Sequence, residues 1–189
     1  MGVRVIGVVG KIGSGKDEVL KYLKSKYGIP YLSTGDLVRD IAAKDGVAPT
    51  RENLEIISER CFIQMGKGCF VKMVADEILK KGWKIAGISG IRAPADVHIL
   101  KELFGDAFVL LRVDVADPKL RFQRILRRHE TRDPEKYEEF LVQDLGEEEV
   151  FHVSKTAAMS NYSMKNDGTV DDLHRQIDML VKSKKLSPG

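Results

Sequence analysis

The chain has 189 residues, of which 31 are basic and 28 acidic, giving a formal net charge of +3. That length supports one domain with a full hydrophobic core and no disulfide framework, while so balanced a charge argues against a nucleic-acid duplex as the main partner. No segment reaches the roughly 18 apolar residues of a membrane-spanning helix, and the apolar start "MGVRVIGVVG" runs into glycine and lysine without a secretory cleavage pattern, which predicts a cytoplasmic protein with no membrane partner.

Along the chain, short β-branched runs alternate with amphipathic stretches. "VRVIGVVG", "IPYLS", "WKIAGIS", "AFVLLRVDV" and "NYSMKND" read as five strands of a parallel sheet. The first is apolar at nearly every position, as a central strand buried on both faces should be. "DEVLKYLKSKYG" follows it as a helix, with Val19, Leu20, Leu23 and Tyr27 at helical spacing and Gly28 as the stop. Between Gly35 and Gly82 three helical segments succeed one another, the second capped by Thr50. They predict a helical lobe over the carboxyl ends of the strands, where ligands bind in such sheets. Cys61 and Cys69 fall in this block without histidine partners or zinc spacing, and read as reduced, partly buried thiols.

Gly10, Lys11, Ile12, Gly13, Ser14, Gly15 and Lys16 spell G-x-x-x-x-G-K between a buried strand and a helix, the context that a phosphate-binding loop requires. The glycines let backbone N–H groups turn inward, the helix start adds positive charge, and Lys16 is placed for the β and γ phosphates of ATP. Asp17 stands where such a loop normally carries a magnesium-binding Ser or Thr. A carboxylate there would repel a triphosphate unless a cation lay between them, so Asp17 is a candidate ligand of Mg²⁺. This loop resembles the "SGKD" loops of phage-type deoxynucleoside monophosphate kinases and animal-type phosphomevalonate kinases.

"YLSTGDLVRD" resembles the "STGD...R" segment of adenylate kinases, matching at Ser33, Thr34, Gly35, Asp36 and Arg39. The resemblance implies that Thr34 and Arg39 bind the acceptor's phosphate and that Asp36 lies near the magnesium waters. Thr34 could also cap the helix, and Arg39 offers a planar fork to phosphate oxygens. After the third strand, "GISGIRAPADV" matches the class at Gly90 and Arg92, implying an acceptor ligand at Arg92, but has Ser89 where an acid is usual. That substitution leaves Asp17 and Asp36 as the metal candidates.

In "RFQRILRRHETRDPEKYEEF" Phe122, Ile125 and Leu126 form an apolar stripe, while Arg121, Arg124 and Arg128 share another face at i, i+3, i+7. The segment resembles the helix and short lid of nucleotide kinases, which implies that Arg124, Arg128 and Arg132 stabilise charge on the transferring phosphoryl group. A lone lid histidine, His129, reads as structural. Finally, "NYSMKNDGTVDDLHRQI" is a strand, a turn and a helix capped by Thr169. It resembles the ending of dephospho-coenzyme A kinases, which implies that Asn166 and Gly168 lie near the adenine of ATP.

The resemblance to nucleoside monophosphate kinases spans nearly the whole chain. It implies a P-loop α/β fold, a three-layer α/β/α sandwich on a five-stranded parallel sheet. Its body would be residues 1–34, 83–120 and 145–185, with a helical acceptor-binding insertion at 35–82 and a lid at 121–144. The activity implied is Mg²⁺-dependent transfer from ATP to a small phosphorylated acceptor, with a nucleoside or deoxynucleoside monophosphate first. Dephospho-coenzyme A and a nucleotide-binding regulator with little turnover are the alternatives, and the choice between monomer and dimer stays open.

Overall fold

The computed structural model describes residues 2–128 and 133–184. In chain order the elements are β1 (Arg4–Val9), α1 (Lys16–Tyr27), β2 (Tyr31–Ser33), α2 (Thr34–Lys44), α3 (Arg51–Met65), α4 (Cys69–Lys81), β3 (Ile85–Ser89), α5 (Pro94–Phe104), β4 (Phe108–Asp114), α6 (Pro118–Arg128), α7 (Tyr137–Phe151), α8 (Val153–Ala158), β5 (Tyr162–Lys165) and α9 (Val170–Lys184).

The five strands form one sheet in the order β2-β3-β1-β4-β5, every neighbouring pair parallel. Strand pleating divides the apolar residues between two faces. Val5, Val9, Ile88 and Leu110 pack against Val71, Val74 and Ile78 of α4, Val97 and Leu100 of α5, and Val153 at the start of α8. Ile6, Val8, Leu111 and Val113 pack against Leu20 and Leu23 of α1 and Leu173 and Ile177 of α9 on the other face. The result is the expected three-layer α/β/α sandwich, with β1 central and its carboxyl end feeding the glycine loop.

The three helices after β2 form as predicted, with Thr50 Oγ1 capping α3 by accepting from Asn53 N at 3.3 Å. They do not all stand apart from the sheet. Val38, Ala42, Ile57, Cys61, Cys69 and Phe70 make a small cluster of their own, but α4 turns its next apolar face onto the sheet. Both cysteines are buried free thiols. The segment at 121–144 differs in a related way. Arg121 and Ile125 bury the inner side of α6 in the body, and α7 runs unbroken across position 144.

Candidate active site

The loop between β1 and α1 is shaped by left-handed glycines: Gly13 has φ 74° and Gly15 φ 91°. A Cβ on Gly13 would collide with the main-chain oxygen of Arg121, so only glycine lets α6 approach the loop this closely. Lys16, at the start of α1, is half-buried, and desolvation lowers the pKa of its ammonium, opposed by the carboxylates of Asp17 and Glu147. The guanidinium groups of Arg92 and Arg128 push it the same way as burial does.

Ser89, at the carboxyl end of β3, donates from Oγ to Asp17 Oδ1 at 2.8 Å. Burial raises the Asp17 carboxyl, but the Lys16 charge and the Ser89 hydrogen bond outweigh it and hold the pKa below its ordinary value. The acid expected on the strand is therefore in the loop, and the hydroxyl expected in the loop is on the strand.

On the acceptor side the cap of α2 is Ser33, whose Oγ accepts from Gly35 N at 3.2 Å. The expected capping by Thr34 is not what forms. Its hydroxyl instead donates to Gly90 O at 3.2 Å, and a Cβ on Gly90, which has φ 86°, would strike that hydroxyl. Asp36 and Arg39 form an exposed ion pair across the first turn of α2, so the structure joins these two to each other. Arg92 leaves β3 with Nη1 3.3 Å from Glu147 of α7 and its guanidinium 5.4 Å above the ring of Phe151. Its main chain is fixed at both ends: Arg92 N donates to Asp96 Oδ2 at 3.0 Å, and Thr156 Oγ1 donates to Arg92 O at 2.7 Å.

The three arginines grouped on α6 diverge. Arg121 is buried at 3% exposure and forks onto Asp144 of α7 at 2.6 and 2.8 Å, with a further bond to Ile12 O at 3.0 Å. It braces the loop from behind and does not share a solvent face with the others, because Asp144 supplies the counter-charge that lets an arginine turn inward. Arg124 reaches the turn after β5, with Nη2 3.3 Å from Gly168 O. Arg128 pairs with Asp133 through Nε at 2.9 Å, and its charge bears on Lys16. Arg132 and His129 lie outside the described residues.

Asn166 is buried and donates from Nδ2 to Ser14 O at 2.9 Å, which ties the β5–α9 turn to the glycine loop. The α9 cap at Thr169 forms as predicted, with Oγ1 accepting from Asp172 N at 3.2 Å. Two buried polar atoms here have no protein partner: Ser14 Oγ within the loop and Arg124 Nη1 beside the turn. Phosphate oxygens and a nucleobase could satisfy such groups, so the residues fit ATP. Asp17 and Ser89 are hard oxygen donors suited to Mg²⁺. Among the described residues no cluster of three or more His, Cys, Asp and Glu forms a metal cage, in keeping with an ion that takes most of its ligands from phosphates and water.

A family model described as an AAA domain matches residues 9–141. A UPF0200 protein of Pyrococcus horikoshii is 34% identical over 187 residues, covering 97% of this chain and 98% of that one. The chain belongs to the UPF0200 family. A further UPF0200 relative, from Thermococcus onnurineus, is 31% identical over 94% of this chain and 96% of its own length. Among solved structures, a shikimate kinase from Acinetobacter baumannii in complex with shikimate aligns with a TM-score of 0.55 at 21% identity, over 98% of this chain and 96% of that one. A gluconokinase from Sinorhizobium meliloti aligns with a TM-score of 0.59 at 12% identity, over 96% and 95%. These likenesses establish that this UPF0200 chain has the P-loop kinase-like fold. No helix among its described residues is long and apolar enough to cross a membrane.

Sequence reasoning did not foresee the contacts of Arg121 with Asp144, of Glu147 with Arg92, or of Ser89 with Asp17.

Proposed function

We propose that the protein transfers the γ-phosphoryl group of ATP, with Mg²⁺, to a small phosphorylated acceptor, a nucleoside or deoxynucleoside monophosphate first. The observation that carries this reading is the Asp17–Ser89 pair beside Lys16. An acid and a hydroxyl at the end of a nucleotide loop make a cation site next to the donor phosphates, which a simple phosphate-binding turn would not need. Mg²⁺ bound there would neutralise charge on the phosphoryl group in flight.

Within this reading Lys16 and the loop amides hold the donor phosphates, and Asp17, with Ser89 steadying it, holds the ion. Asn166 and Gly168 frame the base, joined by Arg124. Arg92 orients the acceptor phosphate with Thr34 and Arg39 nearby on α2, and Arg128 and Arg132 add positive charge at the transferring group. Asp36, paired with Arg39, contributes by fixing that arginine and, through water, by supporting the ion. Little covalent work falls to the protein in such a transfer, so charge placement and exclusion of water carry the mechanism.

A second reading has a specific observation behind it. The Glu147 carboxylate stands beside Arg92 and acts on Lys16, where it could take a proton from an acceptor hydroxyl, as dephospho-coenzyme A would present. ADP release measured with ATP and Mg²⁺ across nucleoside monophosphates, deoxynucleotides and dephospho-coenzyme A separates the two. Nucleotide binding with no acceptor-stimulated release would defeat both and leave a regulator.

A further inference from the structure

Transfer to a phosphorylated acceptor gives Glu147 no chemical task, yet its side chain is 14% exposed and lies 3.3 Å from Arg92. Its charge also bears on half-buried Lys16, as that of Asp17 does. A carboxylate presents to a guanidinium fork much the same charge and oxygen spacing as one face of a phosphate. The free protein thus already holds an anion against the arginine that the acceptor's phosphate would need.

Both partners sit on a fixed frame. Arg92 is fixed through its main chain by Asp96 and Thr156, and its guanidinium lies over Phe151, the last residue of α7. Helix α7 is anchored by buried Phe140, by the Asp144–Arg121 pair and by the bonds from Ser154 of α8 to Glu148. Against that frame the Glu147 side chain can rotate off Arg92 about its own torsions while α7 and the Arg92 main chain stay in place.

We propose that Glu147 is an internal stand-in for the acceptor's anionic group: its side chain occupies Arg92 in the free protein, and the arriving phosphate displaces it. This rests on the reading of the acceptor as a phosphorylated molecule bound at Arg92. The exchange makes Glu147 a specificity-determining residue, because an acceptor with no anion at this position cannot dislodge it.

The test titrates inorganic phosphate into magnesium-free protein saturated with ADP, so that the donor side is filled. Glu147→Gln should bind phosphate about tenfold more tightly than wild type, the coupling lost when an internal competitor is removed. Glu149→Gln removes the same charge from an exposed position on α7 and should change affinity less than about twofold, as screened surface charges do. Unchanged or weaker phosphate binding by Glu147→Gln, or equal tightening by Glu149→Gln, would each overturn the proposal. A loss of turnover with phosphate affinity unmoved would also overturn it and make Glu147 the base of the hydroxyl-acceptor reading. Failure of acceptor-stimulated ADP release would count against the kinase reading alone, since the phosphate titration does not depend on turnover.

Discussion

The Oγ of Ser89 donates to Oδ1 of Asp17 across 2.8 Å, tying the end of β3 to the first turn of α1. If the pair works as an exchanged metal site, Ser89→Ala should lower magnesium-dependent turnover about 10- to 100-fold, the usual effect of removing a group that orients a metal ligand. Ser89→Asp alone should do more damage, because it sets two carboxylates against each other. The double variant Asp17→Ser with Ser89→Asp restores the ordinary arrangement and should recover activity above either single change. Steady-state ADP release against magnesium concentration measures all of these, and a double variant no better than the worse single one would refute the exchange.

Arg121 and Asp144 form a buried, two-pronged ion pair that also carries the Ile12 carbonyl. Arg121→Met should cost about 3–5 kcal/mol, because Asp144 is left buried without its counter-charge. Asp144→Asn, which keeps one acceptor, should cost less. Urea unfolding gives both values, and a loss below about 1 kcal/mol for Arg121→Met would mean the pair behaves as a surface one.

Lys16 loses part of its solvation on folding. Its pKa lies below 10.5 in the folded protein because burial disfavours the ammonium, with Asp17 and Glu147 opposing. Between that lowered value and 10.5 the unfolded chain binds the extra proton, so this group makes stability rise as pH rises. Lys16→Met should remove that rise, stabilise the nucleotide-free protein and abolish ATP binding. Thermal unfolding across alkaline pH, with and without ATP, tests it; a destabilised variant would contradict the assigned cost of burial.

Asp178 on α9 accepts from Lys26 Nζ at 2.7 Å, Tyr27 Oη at 2.7 Å and Tyr22 Oη at 3.0 Å, all on α1. The hydrogen bonds from Lys26 and then Tyr27 hold its carboxyl down to about 2, from 3.8. A depressed folded value stabilises above 3.8, and that contribution is lost as pH falls toward about 2. Asp178→Asn should therefore flatten the stability profile in this acid window and leave its shape near neutrality unchanged, as followed by circular dichroism.

Much of the architecture was legible because it depends on local pattern. Alternating apolar runs fixed the strands, and the spacing of Gly10, Gly15 and Lys16 after an apolar strand fixed the loop. What stayed hidden depends on which side of a helix turns inward when a charged residue has a distant partner. Arg121, Arg124 and Arg128 look alike at helical spacing, and nothing nearby says that Asp144, 23 residues on, will draw the first of them into the body. The run Glu147, Glu148 and Glu149 is similarly uniform, yet one side chain meets Arg92, the next bonds Ser154 at the start of α8, and the third is exposed. The Ser89–Asp17 bond was hidden for a different reason: it depends on the adjacency of β3 and β1, which the linear chain does not display.

The end of β3 and the residue after it touch two neighbouring elements. Ser89 is bonded to Asp17 of α1, and Gly90 O receives the hydroxyl of Thr34 of α2. Because β3 lies between β1 and β2 in the sheet, the gap that a phosphoryl group would cross on the proposed reading is set by inter-strand spacing, a dimension the backbone ladder holds constant. The loops and helices above can open, close and change partners while β3 acts as a spacer block. Evolution could then alter which acceptor is bound by editing α2 and α3 without recalibrating how far the phosphoryl group travels.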